Sequence, residues 1–481
     1  MSKRKKLVIG VGCACVAALL AVGGMKIADV RASIRGAELL AEADGYRDLG
    51  LWYAAKPIYG EVMNNYPRNG YGASAKMGLA KCLEVTAPYD AIALYEQVAQ
   101  ACAGTETEAD AKLAIACVLK IMNVNEALAQ FEAMKTAYAG TEIAQRAHLG
   151  IAECLEAKGL FYQARAKYQE VADAYPDTAV AAESLYKLAE CMYKPGVWKN
   201  PPPEQKPVLE KVLASEHASP SVKAEAKWLL ALFYQNRKNV DEAEKVFREL
   251  VVEFPNTDRA LRESGTLAGM AMADNGIEAC RELLQELATE SAGTEIESAA
   301  NDLLGLLEVP DMWSDTKEVP ARILGVRANF YRKFNAELAV RAIRALVERY
   351  PDFLYAPDGL EALSEHLWRI GEYGQAVQEL VRFEELYPGV STAPDLLRFM
   401  ALSYSRAGDD EMCVETLKRV IEKYPGSNMA AVAQYGIGRM YEKRLNDVAA
   451  ARAAYEQTIA TYPGTDQAQY ASESLTEIGA G

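Results

Sequence analysis

The chain has 481 residues, of which 50% are apolar and 25% charged, a balance that belongs to a folded protein and excludes a disordered one. Its formal net charge is −15, and because residues 1–35 alone carry a net +6, the remainder carries −21. An acidic body of that size repels phosphate backbones, so no nucleic-acid partner is expected, with the basic run from Arg322 to Arg349 as the one exception.

Residues 1–6 form a basic segment, Lys3-Arg4-Lys5-Lys6, ahead of an uncharged stretch at 7–24. As a helix rising 1.5 Å per residue, that stretch reaches about 27 Å, close to the hydrocarbon thickness of a bilayer. A basic flank stays on the cytoplasmic side. The segment therefore predicts a single-pass inner-membrane protein, held in the membrane through residues 7–24, with its body in the periplasm or another extracytoplasmic space. Two other fates fit the same residues: signal cleavage near Gly23, leaving a periplasmic protein, and lipidation of Cys13. Residues 25–36 read as a linker.

From Ala37 onward one pattern recurs. Two short amphipathic helices carry apolar residues three to four apart, a small residue marks the turn between them, and an aromatic-proline pair ends the second. The first copy spans 37–67, with its turn near Gly50. The closing pair stands at Tyr66-Pro67, Tyr175-Pro176, Phe254-Pro255, Tyr350-Pro351, Tyr387-Pro388, Tyr424-Pro425 and Tyr462-Pro463, and the last four are 37, 37 and 38 residues apart. Cys102-Ala103-Gly104-Thr105 and Tyr138-Ala139-Gly140-Thr141 are softened versions of the stop. Two stretches interrupt the pattern: a proline-rich insertion at 194–207 containing Trp198, and a second at 309–322 containing Trp313. The array thus runs over 37–308 and again over 323–471, with a tail at 472–481.

A lone hairpin cannot bury its apolar face, so stacking must supply the core. Small residues early in the second helix (Ala164, Ala243, Ala376, Ala451) permit close approach, and Tyr168, Phe247 and Tyr455 fill the gaps. The fold class is all-α, an α-solenoid of about eleven helical hairpins behind an N-terminal transmembrane helix. With these residues placed, the chain resembles the tetratricopeptide repeat (TPR) family. The 37-residue period and the Tyr-Pro-(Gly/Asp/Arg)-(Ser/Thr) stop look like its bacterial envelope branch, which includes Tol–Pal-associated and outer-membrane-assembly proteins. The resemblance implies a scaffold that grips protein partners on a concave groove lined by first helices, in envelope assembly or maintenance.

Nothing in the sequence assembles a catalytic or metal site. Cys82, Cys117, Cys154 and Cys191 recur at one position of the first helix, where a small apolar side chain packs, and Cys280 and Cys413 replace the small residue of the second. His148, His217 and His366 fall in different repeats. No cofactor and no enzymatic activity are expected, a cell-wall-active enzyme using the insertions being the alternative. Projecting the repeat register onto the groove gives Lys81, Glu84, Lys112, Arg146, Glu153, Glu156, Glu190, Trp228, Glu365, Trp368, Arg369, Arg398, Tyr435 and Arg439. Tryptophan and arginine dominate protein interfaces, which singles out Trp368, Arg369 and Arg398, with Glu365, Arg439 and the insertion tryptophans Trp198 and Trp313 beside them.

Overall fold

The structure, a computed structural model, describes residues 27–66, 70–192, 201–309, 312, 319–333, 335–388, 394–425 and 427–480. Among these the regular elements are 23 helices. In chain order they are α1 (Ile27–Asp48), α2 (Trp52–Asn65), α3 (Tyr71–Leu83), α4 (Pro88–Ala101), α5 (Glu106–Met122) and α6 (Val124–Ala137). Next come α7 (Glu142–Ala157), α8 (Phe161–Ala174), α9 (Ala179–Met192), α10 (Gln205–Ala214), α11 (Pro220–Asn236) and α12 (Val240–Glu253). The middle holds α13 (Asp258–Glu290), α14 (Glu295–Leu307), α15 (Ala321–Tyr331) and α16 (Ala336–Arg349). The remainder is α17 (Ala356–Arg369), α18 (Tyr373–Leu386), α19 (Pro394–Ala407), α20 (Asp410–Lys423), α21 (Asn428–Lys443), α22 (Val448–Thr461) and α23 (Asp466–Ala480). Helix α13 is itself a hairpin, broken at Gly276, whose φ of 84° and ψ of −173° suit glycine alone. With α13 counted as a pair, the described helices succeed one another as eleven pairs, with α14 and α23 left over.

The recurrent stop now has a physical explanation. The hydroxyl of Thr178 donates to the carbonyl of Tyr175 at 2.8 Å and accepts from the amide of Ala181 at 3.1 Å. Thr257, Ser427 and Thr465 repeat both bonds, to Phe254, Tyr424 and Tyr462 on one side and to Ala260, Ala430 and Ala468 on the other. One side chain therefore closes the outgoing second helix and caps the incoming first helix, using donors and carbonyls that helix ends leave open. At the other turn, between the helices of one hairpin, Gly371 and Gly408 take φ of 89° and 90°. Lys238 and Asn446 hold the same left-handed position at 60° and 53° in their hairpins.

The chain divides into two compact units, Met1–Val118 with Tyr350–Ala356 and Tyr387–Gly389, and Leu119–Arg349 with Pro357–Leu386 and Val390–Gly481. In the first unit Trp52, Ala55, Tyr59 and Val62 of α2 pack on Leu39 and Ala43 of α1 and on Ala75 and Cys82 of α3. Residues 350–356 join it at the α1–α2 turn: the Leu354 amide donates to the Gly50 carbonyl at 3.1 Å, and Lys56 pairs with Asp352 at 2.7 Å. In the second unit the core repeats from hairpin to hairpin, as where Phe161, Ala164, Tyr168 and Val171 of α8 pack on Leu149 of α7 and Leu188 of α9. First helices pack on the first helices that follow them (α1 on α3, α7 on α9, α9 on α11, α11 on α13, α19 on α21), and second helices make no comparable contact among the described residues. Within each unit the first helices therefore form the inner layer.

Four buried tyrosines of second helices also donate to carboxylates of their own first helices. Tyr59 bonds Asp44 at 2.6 Å, and Tyr95, Tyr168 and Tyr455 bond Glu84, Glu156 and Glu442 at 2.7 Å each. Burial, with the carboxylates beside them, pushes all four phenols well above their ordinary pKa. Tyr95→Phe removes the donor while keeping the ring, and is expected to cost about 1.5–3 kcal/mol, read as a lowered urea midpoint.

The expectation of a single-pass inner-membrane protein is overturned. Among the described residues no helix is long and apolar enough to cross a membrane. The physical reason is charge: the described helices are amphipathic, and even the 22-residue α1 carries Arg35, Glu38, Glu42, Asp44, Arg47 and Asp48. Residues 7–24 lie outside the described residues, as do the basic segment 1–6, Trp198 and Trp313. The linker expected at 25–36 is helical from Ile27, and the tail at 472–481 continues α23.

Candidate partner-binding surface

Most first-helix charges projected onto the groove already have partners. Lys81 pairs with Glu84 at 2.8 Å, Lys112 with Glu108 at 2.5 Å, Arg146 with Glu142 at 2.8 Å and Lys187 with Glu190 at 2.8 Å. Glu153 takes Lys120 from the preceding first helix. Glu84 and Glu156 are bound inward by the tyrosines described above. Trp228 is covered by the Arg259 guanidinium, 3.9 Å from its ring, and Arg259 in turn reaches Glu225 at 2.8 Å and Glu263 at 3.3 Å. Tyr435 stacks on Tyr455 and Tyr470. These positions build the array.

The basic run is likewise structural at its start. Arg322 is buried between Asp258 and Glu295, at 2.6 Å from each, and Arg327 is buried against Asp302 through bonds of 2.7 and 2.6 Å. Arg341 pairs with Glu337, and Arg344 with Glu379. None of these four offers a free charge to phosphate.

What remains is a cluster at the ends of α15 and α17. Glu365 and Arg369 are exposed, and His366 sits half-buried between them. Arg332 and Lys333, just past α15, are exposed as well. Yet desolvation lowers the pKa of both, and it lowers that of His366, with Arg369 and Arg332 adding repulsion. Side chains that solvent reaches but incompletely hydrates belong to a recessed surface. Glu365 and Glu263 are the carboxylates that offset Arg332, and no ion pair at salt-bridge distance holds Arg332, Lys333 or Arg369.

The other singled-out residues are distributed beside this cluster. Trp368 is packed rather than presented, its ring 5.9 Å from Tyr373 and 5.8 Å from Phe399 of α19, with its indole nitrogen covered and unbonded. Arg398 precedes Phe399, and its Nε is also covered without a partner. Arg439 is exposed two hairpins further on, in α21. Glu365, Trp368 and Arg369 thus share one helix, and Arg398 lies on the next first helix. Sequence reading missed Arg332, Lys333 and His366; the signal for the first two was the basic run, read there as a question about phosphate. The cysteines are inert: burial raises Cys82 to about 12 and Cys280 and Cys413 to about 11.

A tetratricopeptide repeat model matches residues 146–178, 225–257, 400–427 and 432–465, each covering a first helix with its second. The chain contains tetratricopeptide repeats. No curated protein matches it. Solved structures similar to this TPR array include the human IFIT1 dimer with PPP-AAAA, at 14% identity over 91% of this chain and 89% of that one, with a TM-score of 0.35. Another is a Rap protein complexed with Competence and Sporulation Factor, at 15% identity over 73% and 97%, with a TM-score of 0.40. A third is the APC/C hetero-tetramer Cut9-Hcn1, at 12% identity over 92% and 90%, with a TM-score of 0.28. At such scores nothing about recognition follows from the likeness. The matches do not extend to the envelope branch of TPR proteins.

Proposed function

We propose that the protein is a TPR scaffold that binds a polypeptide partner along its first helices, chiefly α15, α17, α19 and α21, and performs no chemistry on it. One observation supports this most: charges on the earlier first helices are paired within the array, whereas Arg332, Lys333, Glu365, Arg369 and Arg439 face solvent without an ion pair at salt-bridge distance. Uncompensated charge on an inner layer has no role in stacking and suits recognition. The histidine best placed for proton transfer by burial, His148, is instead held by Lys135, Glu170 and Tyr175 at 3.1–3.3 Å, as a packing group. A role in envelope assembly leaned on a membrane-held body and is not part of the proposal.

A photo-crosslinking amino acid at Glu365 or Arg439 in intact cells is expected to capture a polypeptide. The same group at Tyr89 or Tyr162, exposed on the second helices α4 and α8, is expected to capture none. Equal yields from both sets, or none from the first, would remove this reading.

A further inference from the structure

If the first helices do receive a polypeptide, the chemistry of the α15–α17 cluster narrows what that polypeptide is. The chain is acidic throughout its body, and its first-helix charges elsewhere alternate in sign within closed pairs. At the ends of α15 and α17 this balance fails. Arg332, Lys333 and Arg369 bring three cations together with His366, against Glu365 and the already engaged Glu263. Both helices also direct their last carbonyls toward these side chains. A helix C-terminus favours a cation there by only a fraction of a kcal/mol, about 0.3–1, and does not replace a counter-charge.

We propose that this surface is a docking site for an acidic segment of a partner polypeptide, whose side-chain carboxylates pair with Arg332 and Arg369 while Lys333 and Arg398 extend the contact to either side. The inference rests on the scaffold reading above and adds the partner's chemistry to it. Several features favour carboxylates over a nucleic-acid backbone. Two guanidiniums can each take a carboxylate through paired hydrogen bonds. Glu365 and Glu263 stand within the same cluster, where they would repel a continuous line of phosphates but can accept backbone amides of a peptide. The remaining surface is acidic, so only a short segment meets attraction. Trp368, wedged between Tyr373 and Phe399, fixes α17 against α19 and so holds Arg369 and Arg398 on neighbouring helices. The basic N-terminal segment of the chain itself has the wrong sign to be the occupant.

The test uses the full chain and fluorescence anisotropy with three labelled probes: a short Glu-Ala repeat peptide, a Lys-Ala peptide of equal length, and a single-stranded RNA. The Glu-Ala peptide is expected to bind, more weakly as salt rises, and the Lys-Ala peptide not to bind. Arg332→Glu with Arg369→Glu is expected to weaken binding by about tenfold or more at unchanged helical content. Arg341→Glu, at an exposed position on the second helix α16, is expected to leave it unchanged. The proposal is overturned if the Glu-Ala peptide binds no better than the Lys-Ala peptide, if the double reversal has no effect, or if RNA binds more tightly and displaces the peptide. Should it fail while crosslinks from Glu365 persist, the scaffold reading stands and only the acidic character of the partner is wrong.

Discussion

Replacing Gly265 and Gly269 together by alanine is expected to destabilise the second unit by roughly 2–6 kcal/mol, about 1–3 for each overpacked site. The magnitude follows from what the added methyl groups meet. A Cβ on Gly265 lies 2.3 Å from the carbonyl oxygen of Val326, and one on Gly269 lies 2.4 Å from that of Phe330. Both obstacles are backbone atoms of α15, so no rotamer change relieves the clash and the two helices must separate. Separation would also disturb Ile323, Leu324, Phe330 and Tyr331, all buried. Gly325 supplies the contrast. It lies within α15 with nothing near its absent Cβ, so Gly325→Ala is expected to raise stability by about 0.5–1 kcal/mol through backbone entropy alone. Thermal melts of the three variants, followed by circular dichroism, give opposite shifts if α13 and α15 are in backbone contact.

The second large effect is expected at Arg327. Its guanidinium is 3% exposed as a residue and meets Asp302 of α14 through two parallel bonds. Arg327→Ala leaves the Asp302 carboxylate without its counter-charge in a crowded site, at a cost of about 3–5 kcal/mol. Arg327→Lys restores the charge but not the fork, and is expected to recover only part of the loss. By comparison Arg344→Ala, which removes a more open pair with Glu379, is expected to cost less than about 1 kcal/mol. Urea denaturation of these variants checks both the order and the size. If Arg327→Ala instead weakened partner binding at full stability, the basic run would be an interface and not a brace.

The hairpins were legible because each depends on local chemistry. Tyr175-Pro-Asp-Thr178 and its relatives specify a helix end and the next helix start within four residues, and the turn glycines meet a backbone demand. What joins distant parts was not legible. Nothing in residues 350–356 announces that Leu354 bonds Gly50 or that Asp352 meets Lys56, because the partners are about three hundred residues apart. The insertion at 309–322 interrupts the register, so the neighbour of α15 could not be read from a repeat count, nor could the need for Gly265 and Gly269. Periodicity assigned Glu84 and Glu156 correctly to the first helix but not to a bond with Tyr95 and Tyr168, since a helical period does not say which neighbour a charged side chain finds. The same limit left Arg332 and Arg322 looking alike. One is buried between two carboxylates and the other is not.

The division of labour between the two helices of each hairpin is tested most directly by hydrogen–deuterium exchange on the full chain, alone and with the polypeptide segment captured from Glu365. Slower exchange confined to α15, α17 and α19, with α16, α18 and α20 unchanged, is the predicted result. Protection on the second helices, or spread evenly over both, would contradict it.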